Sequence, residues 1–418
     1  MSKETLGINN NVSDALFQTT FDDLFSSAWG YRGYKTRPDF SRQRIDITPD
    51  NAGVGYGGTL RFTIPKRAAI LRRLSFAVTV AALGGPTGPR YVDFAAFRLM
   101  ERTLMRYGSN EIQDIRPLQH YVEMRQDYRR KDQEAIARLA GGDLSAAERV
   151  TLATARQDWI VHIPFHFSET PDKCIFLEGL GFPIEIDITL AALADITTGQ
   201  TAAAVTGGAL TNVRLIAELV HIEDYERDFH IERTLDEVGL LQSVRDFRYQ
   251  PALAVTGGAA VFDYPLTNLK GSCFEIRFIT QDITEASTAT TGGATATTDD
   301  KDFFNFLTWT ATNDDTWILQ ASGINVIDPM TQQWNIDVEN RDLHSGDPGD
   351  LIYGQAFTYQ PEDKRNCTGH KTWAGMTNPT IQLRAGGGGF PANLQIVGIS
   401  REYNATHTIQ GDLIKVFK

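Results

Sequence analysis

The chain is predicted to be mainly β: two consecutive eight-stranded jelly rolls (a double jelly roll) with short helical insertions. Short apolar runs, many with a period of two, recur at roughly 8 to 20 residue spacing from Arg42 onward, the first three bounded by Gly, Pro or Asn. They fall into two blocks of about eight, separated by a charged stretch, Glu223 to Leu241, whose apolar spacing is helical. With 418 residues there is room for roughly two or three domains. The expected division is an N-terminal arm over 1–40, a first jelly roll over 41–225, a linker over 226–243 and a second jelly roll over 244–418.

In the arm, Ser13 is an N-cap candidate, and Leu16, Phe17, Phe21, Leu24, Phe25 and Ala28 follow at helical spacing. This spacing reads as a short amphipathic helix. Packing under its own domain is the plainer expectation, and docking on a neighbouring subunit or a membrane surface the sharper one. No Lys or Arg occurs between Ser13 and Gly30, which argues against the membrane.

Strands are expected at Arg44 to Thr48, Thr59 to Ile64 and Leu71 to Ala82. Leu60, Phe62 and Ile64, then Leu74, Phe76, Val78 and Val80, alternate, so each run buries one face. Between them Lys66, Arg67, Arg72 and Arg73 form a positive cluster, read as a solvated strand end or a subunit-contact face. These four residues, with Phe17, Phe21, Leu24 and Phe25 of the arm, are the candidate assembly contacts. Leu99 to Tyr107 and Glu111 to Ile115 flank Gly108-Ser109-Asn110 as a hairpin. From Pro117 to about Arg138 the pattern is helical, and a second helix is expected over Leu144 to Arg156, with Ser145 and Glu148 at capping-box spacing. Both helices read as an insertion on one side of a β domain. Ile160 to Phe167, Ile184 to Leu190 and Val213 to Ile222 close the first block, with Ala194 to Gly208 an exposed loop. In the second block, strands are expected at Val244 to Tyr249, Ala259 to Asp263, Ser272 to Thr280, Trp317 to Val326, Leu351 to Thr358, Pro379 to Leu383 and Leu394 to Tyr403. Glu285 to Asp300, almost all Thr, Ala, Gly and Asp, is expected to be an exposed loop.

Composition excludes several classes. Hydrophobic residues make up 42% and no apolar run approaches the ~18 residues that span a bilayer. A net charge of -12 gives the body no long-range attraction to nucleic acid, and residues 1–40 add no basic arm, with four cations against five carboxylates. The start, MSKETLGINNN, lacks the apolar stretch of a secretory signal, so the sequons at Asn11, Asn366 and Asn404 are expected to be unused. Cys174, Cys273 and Cys367 are odd in number and widely spaced, as free thiols in a reducing compartment would be.

No catalytic, cofactor or metal constellation emerges. His162 and His166 in one strand would sit roughly 13 Å apart, too far to share an ion at bonds of about 2 Å. The Gly-rich runs at Gly53 to Gly58 and Gly386 to Gly389 lack the strand-to-helix context and Lys-Ser/Thr of a phosphate cradle. No nucleophile elbow occurs. Asp314 with Asp315, and Glu362 with Asp363, read as solvated turns.

Several segments, in order, carry a resemblance. Tyr34-Lys35 with Phe40-Ser41, Leu60 to Val80, the hairpin Leu104 to Asp114, Ile160 to Phe167 with Leu177 to Leu190, Gln355 to Leu383 (through Phe357, Pro361, Glu362, Cys367, Asn378 and Gln382) and Ile399 to Gly411 resemble the double jelly-roll major capsid proteins of large eukaryotic (nucleocytoplasmic) DNA viruses and virophages. Pro38-Asp39 and Ala68-Ala69 depart from the family's pattern. The resemblance implies two jelly rolls side by side, homotrimeric pseudo-hexagonal capsomers tiling an icosahedral shell, and no catalytic activity or cofactor. Expected partners are further copies of the chain, minor capsid or penton proteins and an internal viral membrane, with no direct nucleic-acid binding. The expected location is the virion, assembled in the infected host cell. The alternatives are a minor or penton-related capsid protein of the same fold, and a two-domain jelly-roll glycan-binding protein or glycan-active enzyme.

Overall fold

The computed structural model describes residues 40–416, apart from 52, 67–69, 86–88, 170–172, 199–204, 223, 236–239, 270, 283–302, 305, 310–314, 347–350 and 365–366. The amphipathic segment of the arm, Arg67, Asp314 and the loop Glu285 to Asp300 lie outside the described residues, as do Asn11 and Asn366.

In the first half the principal strands are β1 (Phe40–Ile47), β2 (Thr59–Thr63), β3 (Ile70–Val80), β4 (Met100–Tyr107), β5 (Asn110–Ile115), β6 (Gln157–Ile163), β7 (Ile184–Leu190) and β8 (Leu210–Ile222). One sheet runs β1-β8-β3-β6 and the other β2-β7-β4-β5, every pairing antiparallel. First pairs with last, second with seventh, third with sixth and fourth with fifth. This nesting is a hairpin rolled into a two-layer sandwich, the jelly roll. Leu60, Phe62, Leu74, Phe76, Val78 and Val80 all point into the core, as their period of two requires.

The second half repeats the pattern with β9 (Leu240–Tyr249), β10 (Val261–Pro265), β11 (Ser272–Asp282), β12 (Thr316–Ala321), β13 (Ile324–Thr331), β14 (Ile352–Ala356), β15 (Thr380–Arg384) and β16 (Leu394–Ile409). Its sheets run β9-β16-β11-β14 and β10-β15-β12-β13. A further strand, β17 (Asp412–Lys415), pairs with β16, and several two-residue strands lie outside the main paths of both halves. One core cluster fills the first sandwich and continues into Phe247, Ile279, Phe304, Phe306, Ile352, Val397 and Ile399 of the second half. A second cluster, around Trp309, Trp317, Phe278 and Tyr353, fills the second sandwich. The two sandwiches therefore share a packed seam.

The helices are α1 (Ala95–Leu99), α2 (Pro117–Asp127), α3 (Arg130–Ala140), α4 (Ala146–Ala153) and α5 (Asp224–Leu235). The capping box of α4 forms as its spacing implies: Ser145 N–H donates to Glu148 Oε2 at 2.8 Å and Glu148 N–H to Ser145 Oγ at 3.4 Å. The single helix expected from Pro117 to Arg138 is broken, because Tyr128 and Arg129 are extended. Gln133 holds the break open by donating to the carbonyls of Arg125 and Tyr128 at 2.9 and 2.7 Å, serving acceptors that a continuous helix would satisfy itself. No helix among the described residues is long and apolar enough to cross a membrane.

Three other expectations are corrected. The run Ile160 to Phe167 is a strand only to Ile163; Pro164 cannot donate to a ladder, and His166–Glu169 forms a helical turn. Trp317 to Val326 is not one strand but the β12–β13 hairpin, turned at Ser322 and Gly323, which both take positive φ (53° and 75°) as a type I′ turn requires. Part of the expected loop Ala194 to Gly208 is built in: Ile196, Thr197 and Thr198 are buried, and Thr197–Thr198 pairs with Arg90–Tyr91.

Candidate functional site

Between the sandwiches lies a cluster of charged side chains, all at most 4% exposed. Glu123 and Asp127 come from the last turns of α2, Glu275 and Arg277 from β11, Arg401 from β16, and His344 from the segment just after the helical turn Asn340–Leu343. Arg401 donates through Nη2 to Asp127 Oδ2 and through Nη1 to Glu275 Oε2, both at 2.7 Å. Arg277 donates through Nε to Glu275 Oε1 at 2.8 Å and through Nη2 to Asp127 Oδ1 at 3.2 Å. His344 Nε2 is 2.8 Å from Glu275 Oε1, its Nδ1 is 3.5 Å from Asp127 Oδ1, and Arg401 is 3.8 Å from Glu123.

With His344 protonated, three cations face three carboxylates. Burial alone would push the Asp127 and Glu275 carboxyls up, but the neighbouring Arg401 and Arg277 guanidiniums and the His344 ring hold both below the usual carboxylate range. Burial likewise pushes His344 down, and the Glu275 and Asp127 carboxylates more than offset it, leaving its pKa raised. The cluster thus holds α2 of the first half to the sheet of the second.

Gly346 completes the contact. Its N–H donates to Gln126 O at 2.8 Å, and a Cβ built on it would lie 2.2 Å from Arg125 O. Only glycine permits the chain to approach the end of α2 so closely. Nearby, Phe304 stacks on Tyr121 with ring centroids 4.5 Å apart, and Phe303 lies under the Arg98 guanidinium. At the other end Tyr107 donates to Gly411 O at 2.6 Å.

Asp127, His344 and Glu362 bring ligand atoms within 4.8 Å of one another, a grouping that could hold a metal ion. The chemistry argues against it, since the Asp127 oxygens already accept from two guanidiniums that would repel a second cation. His162 and His166 do not converge either. His162 Nδ1 meets Leu74 O at 3.1 Å, whereas His166, fully buried, meets Gln113 Oε1 at 3.2 Å. Burial lowers their pKa values to about 4 and about 3.

The described candidate contact residues, Lys66, Arg72 and Arg73, are not one free patch. Lys66 donates to the carbonyls of Leu180 and Gly181, and Arg72 donates to Glu218 at 2.9 Å. Arg73 is exposed. Asp315, expected in a solvated turn, is instead fully buried and accepts from Gly386 N–H and Gln332 Nε2 at 2.7 and 2.8 Å. The three cysteines form no disulfide, and Asn404 of the third sequon is buried.

The seam was not found from sequence. Its residues are up to 274 positions apart, and nothing local marks Glu275 and Arg277 on β11 or Arg401 on β16 as partners.

No protein-family model matches the sequence, and neither does any curated protein. Solved structures do match the fold. PBCV-1 VP54, as fitted into the virophage Sputnik, superposes with a TM-score of 0.75 at 16% identity, covering 94% of this chain and 100% of that one. A chain of the PBCV-1 virus capsid gives 0.75 at 14% identity with the same coverage. The Faustovirus major capsid protein gives 0.69 at 12% identity, covering 90% of this chain and 92% of that one. At such identities the likeness establishes the double jelly-roll architecture.

Proposed function

We propose that this chain is a structural, non-catalytic major capsid protein, three copies of which form a pseudo-hexagonal capsomer of an icosahedral shell. The observation that carries this reading is the end-to-end match of both sandwiches to the PBCV-1 capsid chain. The seam supports it physically. Two sandwiches fixed at one angle form a rigid two-lobed block, and a heterologous interface that closes after three copies arranges six lobes around one axis. Such a unit tiles a surface. A hinged pair of domains would not hold that shape.

On this reading the partners are neighbouring capsomers, minor capsid or penton proteins and an internal viral membrane, and the protein resides in virions assembled in the infected cell. The -12 net charge accords with a shell kept apart from the genome. Native mass spectrometry of the purified full chain tests it. A species of about 139 kDa, three times the 46.4 kDa chain, or multiples of it, is expected. A monomer at every concentration would overturn the proposal.

A further inference from the structure

A groove of about 370 Å³ opens on the outward face of the first sheet, beneath α2 and α3. This volume falls among ligand-holding clefts, about 300–1,000 Å³. Its floor is Ile160, His162 and Ile216; its wall is Met124, Ile136 and Leu139. Leu139 is 47% and Ile160 37% exposed, although both are large and apolar. His120 lines the groove, is only 5% exposed, and its Nε2 has no hydrogen-bond partner. Uncovered aliphatic side chains favour an occupant that buries them, and the unsatisfied buried ring nitrogen adds a cost that only a hydrogen-bond partner offsets.

Charge narrows the occupant. Arg44 and Arg73 line the groove and have no ion pair among the described residues, whereas the lining carboxylates are already engaged, Glu218 with Arg72 and Glu123 with Arg401. The groove therefore presents an apolar floor with a positive rim. The segment Ser13 to Ala28 offers the complement: Phe17, Phe21, Leu24, Phe25 and Ala28 at helical spacing, three carboxylates (Asp14, Asp22, Asp23) and no cation. Reach also fits. Arg44 lies four residues into β1 from Phe40, about 13 Å, and the residues between Ala28 and Phe40 span up to about 40 Å.

We infer that the groove between the first sheet and α3 is the docking site for the same chain's N-terminal segment, residues 13–28, seated as an amphipathic helix. The inference is independent of the capsid reading. A photo-reactive p-benzoyl-phenylalanine placed at position 21 of the full chain tests it. Irradiation is expected to link position 21 to peptides from α3 or β6 in a product of unchanged single-chain mass. Leu139→Asp and Arg73→Glu, both on the surface, are expected to lower the yield about tenfold, the change that 1.4 kcal/mol of lost docking would cause. Val261→Asp, at an exposed apolar position of the second half, is the control and leaves the yield unchanged. Links only to segments that do not line the groove, a product of doubled mass, or a yield indifferent to Leu139→Asp would each overturn the assignment.

Discussion

Replacing Arg401 by Met tests whether the buried cluster joins the sandwiches. The side chain is 1% exposed and makes two hydrogen bonds of 2.7 Å, one to a carboxylate of each half. Methionine fills much of the same space but leaves Asp127 and Glu275 short of a cation. Removing one partner of such a buried group costs about 3–5 kcal/mol, against about 1 kcal/mol or less for an exposed pair. With a urea slope of about 3 kcal/mol/M, that loss moves the unfolding midpoint down by at least about 1 M. Because a chain with two sandwiches need not unfold in one step, hydrogen exchange of α2 and β11 should be followed alongside the midpoint. Both elements are expected to lose protection together. A cycle with Asp127→Asn gives the pairwise energy, and the double variant should cost less than the two single losses combined by about 1–3 kcal/mol. Additive losses, or a single-variant cost below about 1 kcal/mol, would refute the direct pairing.

His344 makes part of the seam pH-dependent. Its pKa is raised in the fold, so its contribution is fully present below the unfolded value of about 6.5 and is lost as pH rises through the folded value. The stability difference between the natural chain and His344→Gln, measured by urea titration from pH 5 to 9, should shrink with rising pH. His120, His162 and His166 act oppositely. Burial holds them neutral, to about 3, 4 and 3, so each removes up to about 1.4 kcal/mol per pH unit as pH falls below about 6.5; His166→Gln should soften the acid limb of the same titration. Gly346→Ala should cost about 1–3 kcal/mol through the clash with Arg125 O, while Gly55→Ala, with open space around its Cβ, should stay within about 0.5 kcal/mol; paired urea curves decide. Phe304→Ala should cost about 3–5 kcal/mol and raise exchange in α2, since it removes the ring stacked on Tyr121.

The strand framework was legible because a sandwich writes itself as a period of two. Leu60 to Ile64 and Leu74 to Val80 carry that signal, and the nested pairing follows once each run finds its antiparallel partner. Local chemistry was legible too: Ser145 and Glu148 cap α4 through contacts three residues apart. What failed had non-local causes. At the end of α2, guanidiniums from β11 and β16 meet Asp127 and the Gly346 N–H meets the Gln126 carbonyl, and nothing in the sequence near Asp127 announces them. Glu275, Arg277 and Arg401 carry no signal of their own within their strands, because what buries them is the other half of the chain. The β12–β13 hairpin was missed because Ser322 adopts positive φ, which serine seldom does.

Electron microscopy of material assembled from the purified full chain tests the central claim most directly. Six-lobed, three-fold blocks arrayed in closed shells or hexagonal sheets are the result the proposed function predicts. Isolated two-lobed particles that never associate, at any protein concentration or ionic strength, would contradict it.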